Sequence, residues 1–193
     1  MQLGDKLIDG ASIKPLSFQN FADCIAEAQN MRQPKTFEGR LRRVRMVKQV
    51  AYHVNGSTVP VTMEDVLKLP IPDARKIAAK LDADEGKAGK IIRGGDGIDQ
   101  AITYELGTPI PTGQGKPPII ELEFHARTYG DIEDVMAAPD AIQQTAMLIA
   151  TIAKPLGSSL TLLPSWALNL ITIADGVTIS RDVLPRFLGS PDE

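Results

Sequence analysis

Two apolar rhythms alternate along this chain of 193 residues, and together they predict an α+β fold that is mostly helical. In several long runs apolar residues recur every three or four positions; in a few short ones they recur at every second position. The third observation is an internal echo. Leu160 to Leu188, with Ala141 to Ala153 before it, is the densest apolar stretch, and a fainter copy lies 102 positions upstream: Val66 under Leu168, Leu69 under Ile171, Ile71 under Ile173, Asp73 under Asp175, Ile77 under Ile179. Leu16-Ser17-Phe18 falls under Leu122-Glu123-Phe124 at an offset of 106, which needs a four-residue insertion in the first copy. The expected layout is two tandem diverged repeats, 1–82 and 119–193, each with a short strand or hairpin plus helices. A Gly/Pro-rich connector or β-arm, 83–118, joins them. A repeat this long means tandem domains, since solenoid periods run about 20–50 residues.

In chain order, Ile13 to Phe18 reads as a strand, and Ser17 as the cap of a helix that puts Phe21, Cys24, Ile25 and Ala28 on one face. Met31 to Arg40 is polar, contains Pro34 and reads as a loop. Leu41, Val44, Val47 and Ala51 mark the next helix, which carries Arg40, Arg42, Arg43, Arg45 and Lys48 and stops at the turn Asn55-Gly56. Thr62-Met63-Glu64-Asp65 has the spacing of a capping box, with aspartate in the usual place of glutamate. Ala74, Ile77, Ala78 and Leu81 share one face of a helix after Pro72.

Asp82 to Pro118 holds eight of the sixteen glycines, the composition of a boundary. Ile91-Ile92 and Ala101 to Leu106 flank Gly94-Gly95-Asp96-Gly97 and can pair as a hairpin arm docked on a neighbour. Ile120 to Ala126 alternates as a strand, Thr128 and Asp131 are caps for a short helix, and Pro139-Asp140 opens a helix running to about Ala153. Leu163-Pro164-Ser165 starts the last helical stretch, in which Trp166, Leu168, Leu170, Ile171, Val177, Ile179, Val183 and Phe187 are expected core. Gly189 to Glu193 reads as a frayed end or a contact point.

Composition narrows the function. Residues 1–81 carry 13 basic and 8 acidic side chains, net +5, and residues 82–193 carry 8 and 16, net −8, a polarity suited to packing against copies or charged partners. One cysteine, Cys24, rules out an intramolecular disulfide framework and fits a reducing origin. MQLGDKLIDG has neither a basic nor an apolar leader pattern, and no apolar run reaches the ~20 residues of a membrane span, so a soluble protein without a membrane partner is expected. With two histidines, His53 and His125, and one cysteine, no zinc set can be assembled. Asp82-Ala83-Asp84-Glu85-Gly86 opens like a calcium loop but places its glycine one position early. Gly86-Lys87-Ala88-Gly89 and Gly94 to Gly97 invite a phosphate cradle without the P-loop spacing, and read as turns. Ser165, His125 and Asp175 could be nominated as a triad, but no serine lies in a nucleophile elbow. Asp73 and Asp175 read as helix caps. Arg40 to Lys48 is the one basic cluster; without interleaved aromatic residues it reads as a solvated or partner-facing helix more than a nucleic-acid surface. No cofactor, metal or catalytic site is expected.

The residues from Glu121 to Ile132, Glu-Leu-Glu-Phe-His-Ala-Arg-Thr-Tyr-Gly-Asp-Ile, resemble the opening strand and threonine-x-glycine-aspartate turn of the tail assembly chaperones of contractile-tailed phages. Ala146 to Ala153 is similar to that family's apolar helix, and Leu168 to Asp175 to its leucine-rich segment ending in aspartate. The resemblance implies a non-enzymatic protein of phage tail morphogenesis, in the virion tail or in the host cytoplasm during assembly. Its partners would be other tail or baseplate proteins, met in multiple copies. The doubled length and the glycine-rich middle depart from the compact family pattern. They favour a tail or baseplate component over the alternative, a transient chaperone of tape-measure or hub proteins that is absent from the virion. Contacts are then expected at Arg40, Arg42, Arg43, Arg45, Ile91, Ile92, Tyr104 and Phe187.

Overall fold

In a computed structural model, which describes residues 2–3, 6–83, 85–94, 101–113, 115–126 and 128–188, helices and antiparallel sheets share the chain as an α+β fold. The chain divides into two units, Met1–Leu16 with Asp23–Glu85, and Ser17–Ala22 with Gly86–Glu193. The expected connector is therefore not a separate piece: its described strands belong to the second unit, and so do residues 17–22.

In the first unit, β1 (Gln2–Leu3) and β2 (Lys6–Leu7) pair with each other, and β3 (Gly10–Ile13), β4 (Val50–Val54) and β5 (Ser57–Val59) form an antiparallel sheet in that order. The helices are α1 (Phe18–Asn30), whose first turn is counted with the second unit, α2 (Phe37–Lys48), α3 (Met63–Leu67) and α4 (Ile71–Ala83). Ser17 Oγ accepts from Asn20 N at 3.2 Å, the expected cap of α1. The strand expected over 13–18 ends at Ile13 instead, because Phe18 is already helical. The arginine helix starts earlier than its apolar spacing implied, capped by Thr36, and stops at Gln49. Val50 and Ala51, expected in it, are strand. The run Val50-Ala51-Tyr52-His53-Val54 is rich in β-branched and aromatic residues, and Asn55 and Gly56, at φ of 50° and 75°, turn it back on Ser57. Thr62 and Asp65 make both bonds of a capping box. Ile8, Met46, Tyr52, Val66, Ile77 and Leu81 form one core cluster of this unit, and Cys24, Ala28 and Val44 a second.

The second unit is built on a four-stranded antiparallel sheet, β6 (Lys90–Arg93), β7 (Ile102–Ile110), β8 (Ile119–Phe124) and β9 (Ala153–Pro155), in that order. The hairpin read from the sequence is present: Ile91 pairs with Tyr104. Its turn at Gly95-Asp96-Gly97 lies outside the described residues, as do Ile98 and 189–193. A 3₁₀ turn at Tyr129–Asp131, in which Asp131 accepts from Thr128 N at 2.8 Å, precedes α5 (Glu133–Ala137). Asp140 caps α6 (Ala141–Ile152) by accepting from Ile142 N and Gln143 N. Then come α7 (Ser165–Leu168), α8 (Ile173–Asp182) and α9 (Pro185–Leu188). Helix α6 packs on α8 and β8, and α8 on β7, over a core that includes Tyr104, Leu122, Phe124, Leu148, Ile179 and Phe187. Trp166, Leu170 and Val177, expected in that core, are 45%, 45% and 41% exposed. With four residues, α7 is one turn long, and only Ala167 of it is buried.

Candidate functional site

The most polar interior site gathers around Asp175, in the first turn of α8. Thr172 caps that helix, accepting from Asp175 N at 3.1 Å and donating its hydroxyl to Oδ2 at 2.9 Å. Oδ1 accepts from Gly89 N and Gly107 N, each at 2.9 Å, and from Tyr104 Oη at 3.0 Å. The carboxylate is fully buried, and a helix N-terminus favours its charge. Burial first, and the Asp175 charge second, hold the Tyr104 phenol far above its ordinary pKa, so it stays a donor. The backbones meet so closely that a Cβ on Gly89 would lie 2.0 Å from Glu105 O, and one on Gly107 1.9 Å from Lys87 O. The glycines around 86–89 do help hold an anion, and the anion is the chain's own carboxylate. With both oxygens engaged and no solvent contact, Asp175 fastens β7 and the segment before β6 to α8. Ser165 is exposed and His125 lies elsewhere in the unit, so the triad Ser165, His125 and Asp175 is not assembled.

The arginines are turned inward to different degrees. Arg45 is buried, and its guanidinium donates to Gln49 Oε1 at 3.1 Å, Glu85 Oε1 at 3.0 Å and Leu81 O at 2.8 Å. Arg40 donates to Ala28 O, Pro34 O and Lys35 O, and Arg43 to Gln33 O, so both fasten the loop between α1 and α2. Arg42 is exposed, 3.8 Å from Asp82. The acids just past residue 81 thus belong with the basic helix. Counted by unit, the charges are 13 basic against 11 acidic, or +2, and 8 against 13, or −5. Much of the polarity read from the sequence came from cutting the chain between partners.

Of the other expected contact residues, Tyr104 and Phe187 are buried in the second unit and unavailable, as Arg45 is in the first. Tyr104 lies on β7, an inner strand, which places the expected arm within its own sheet. Ile91 is half-buried and Ile92, at the register shift of the edge strand β6, is exposed.

Two surface depressions lie in the second unit. The smaller, about 280 Å³, is lined by Glu123, His125, Asp131, Thr151 and Lys154, a mixed-charge set. The larger is a groove of about 710 Å³, within the range of ligand and peptide sites. One wall is the start of β8, Ile119 to Glu121, and the other is formed by Ser158 to Leu160 and Trp166. Along β8 the alternation puts Leu122 and Phe124 on one face. Leu122 and Phe124 are fully buried, whereas Ile120 is 44% exposed. The alternation breaks there: Ile119 is buried at 3% and pairs with the buried Ile110 past a register shift, which leaves Ile120 at the groove.

No family model, curated protein or solved structure matches this chain. The candidate site therefore rests on geometry. Sequence reading missed it because Trp166 was expected in the core of its apolar stretch, and the alternation of Ile120 to Ala126 gave no sign that Ile120 would be left exposed.

Proposed function

We propose that this chain is a non-enzymatic structural or assembly protein of a phage-like contractile tail, acting through protein–protein contacts. The observation that carries the reading is the apolar groove with Trp166 at its wall: tryptophan is enriched among the residues that dominate protein interfaces, and exposed apolar patches mark such surfaces. The buried Asp175 site supports it from the other side, since the most elaborate polar cluster is used for packing.

The duplication read from the sequence belongs to the same proposal. Helices α3 and α4 start at Met63 and Ile71, and α7 and α8 at Ser165 and Ile173, a shift of 102 in both cases. The order strand, two helices, strand, two helices recurs as β3, α1, α2, β4, α3, α4 and as β8, α5, α6, β9, α7, α8, with β5 added before α3 and the 3₁₀ turn added before α5. Two diverged copies of a tail-protein unit account for both facts.

Mass spectrometry of purified phage-like particles tests the proposal. Peptides of this chain at a fixed ring stoichiometry are the expected result. Presence in infected cells with absence from particles makes it a transient assembly chaperone, and failure to co-purify with any tail protein removes the reading.

A further inference from the structure

The turn between β4 and β5 carries a chemical lability that the hydrogen bonds of the chain single out. An asparagine loses its side-chain amide when the backbone nitrogen of the next residue reaches its Cγ, so the state of that nitrogen decides which asparagine reacts. Asn20, Asn30, Asn55 and Asn169 are all exposed. After three of them the next N–H is held: Phe21 N donates to Ser17 O at 2.9 Å, Met31 N to Ala28 O at 3.3 Å and Leu170 N to Ala167 O at 2.9 Å. Those three nitrogens also belong to residues with large apolar side chains, which crowd the approach. Asn55 is followed by Gly56, and among the described residues none accepts from Gly56 N. A Cβ on Gly56 would meet no atom within 4 Å, so the space beside it is open.

The turn leaves room for the reaction. Asn55 and Gly56 stand at φ of 50° and 75°, the mirror-image turn of a two-residue hairpin loop, and glycine is the residue with the freest backbone. The loop is anchored from its other side, where Asp9 Oδ2 accepts from Asn55 N. That bond holds a different N–H from the one that reacts.

We propose that Asn55-Gly56 is a spontaneous modification site, which converts Asn55 to aspartate or isoaspartate and changes the charge and the backbone of the β4–β5 turn. Gly56 N gives up its proton to solvent base and bonds to Asn55 Cγ; Nδ2 takes up a proton and leaves as ammonia, closing a cyclic imide. Water then opens the ring. Cleavage between Gly56 N and Cγ leaves aspartate, and cleavage between Gly56 N and the main-chain carbonyl carbon leaves isoaspartate, with the chain now running through Cγ. Either product adds a negative charge beside the Asp9 carboxylate. Isoaspartate also adds a methylene to a loop whose length sets the pairing of Val54 with Ser57 and of His53 with Thr58. Val54 and Val59 pack against the core cluster of the first unit, so a loosened hairpin loosens the edge of that core. The inference goes beyond the tail reading and does not depend on it.

The test is peptide mapping by mass spectrometry of the full chain, held folded at neutral pH and physiological temperature for several weeks. A gain of one mass unit at Asn55 is expected, with Asn20, Asn30 and Asn169 unchanged as controls in the same molecule. The rate at Asn55 should lie within roughly tenfold of that in guanidinium, since a short exposed turn opens at little cost. An isoaspartyl methyltransferase should label the aged protein. Asn55→Gly, which keeps the positive φ of the turn without a side-chain amide, should gain neither charge nor label at that site. Amide exchange across Val54 to Val59 should quicken in the isoaspartate fraction and stay unchanged in aged Asn55→Gly. An Asn55 that stays intact in the folded protein overturns the proposal, whatever the unfolded chain does, and so does loss spread evenly over the four asparagines. An isoaspartate fraction that exchanges like fresh protein overturns the change in the hairpin.

Discussion

At the scale of single residues, Asp175 and Tyr104 can be separated by what each leaves behind. Asp175→Ala strips the acceptor from two backbone N–H groups and a phenol in a site without solvent. Each buried group left unpaired costs about 1–3 kcal/mol, and a loss of roughly 3 kcal/mol or more is expected in a urea melt followed by Trp166 fluorescence. Tyr104→Phe removes the bond donated to Asp175 and the one accepted from Gly89 N, which keeps Asp175 as its acceptor, and should cost only about 1 kcal/mol; equal losses for the two variants would mean that the carboxylate is not the centre of the cluster. Alkaline pH addresses the first unit. Burial pushes Tyr52, whose hydroxyl donates to Met46 O, up to about 12 from an ordinary 10.0. A raised folded pKa contributes stability that is complete below the unfolded value and is lost as pH rises towards the folded one. Stability should therefore fall between about pH 10 and 12, and the urea midpoint of Tyr52→Phe should fall less over that window. That Asp175 stands in a helix's first turn was legible from Thr172 three places before it. Its other partners were not, because Gly89 and Gly107 come from segments that only the folded sheet brings to it.

At the scale of elements, capping and punctuation could be read where they are local, as at Ser17, Thr62 and Asp140, whereas tertiary contacts set the remaining ends. Helix α2 shows the difference. Its arginines look alike in sequence, yet Arg45 alone is buried, because it lies beside Val44 and Met46 on the covered face and reaches the last turn of α4. Arg45→Ala is expected to destabilise the first unit by about 2 kcal/mol, less than the ~3–5 of a fully buried pair because Glu85 remains partly in water. Arg45→Lys should recover little, since one ammonium cannot span Gln49, Leu81 O and Glu85 together. Glu85→Ala should cost under about 1 kcal/mol. Thermal melts by circular dichroism rank the three, and a lysine variant as stable as wild type would refute the fork geometry.

At the scale of the whole molecule, the division into units runs through α1. Ser17 bridges to Thr172, Phe18 N donates to Ile171 O at 2.9 Å, and the Phe18 ring lies so close to Gly176 that a Cβ there would fall 2.0 Å from it. A cut after residue 82 therefore takes a core side chain, 1% exposed, away from the second unit. The full chain with Phe18→Ala is expected to lose about 3–5 kcal/mol in the transition reported by Trp166, and a fragment of residues 86–193 should melt lower than the same unit in the intact chain. A fragment as stable as the whole would mean that residues 17–22 are dispensable to that unit.

The sequence by itself determined what depends on near neighbours: the α+β alternation, the hairpin of Ile91 with Tyr104, and the caps. Periodicity and capping act within a few residues, so one chain suffices to see them. Only the tertiary structure decided which apolar residues are covered and which charges are matched. Hydropathy gives a side chain's preference for burial, but Trp166 and Phe187 share that preference, and the helices and strands around each place one in the groove wall and the other in the core. Likewise Arg42 and Arg45 carry the same charge three positions apart, and both reach the end of α4, Arg45 buried on Leu81 O and Arg42 in an exposed pair with Asp82.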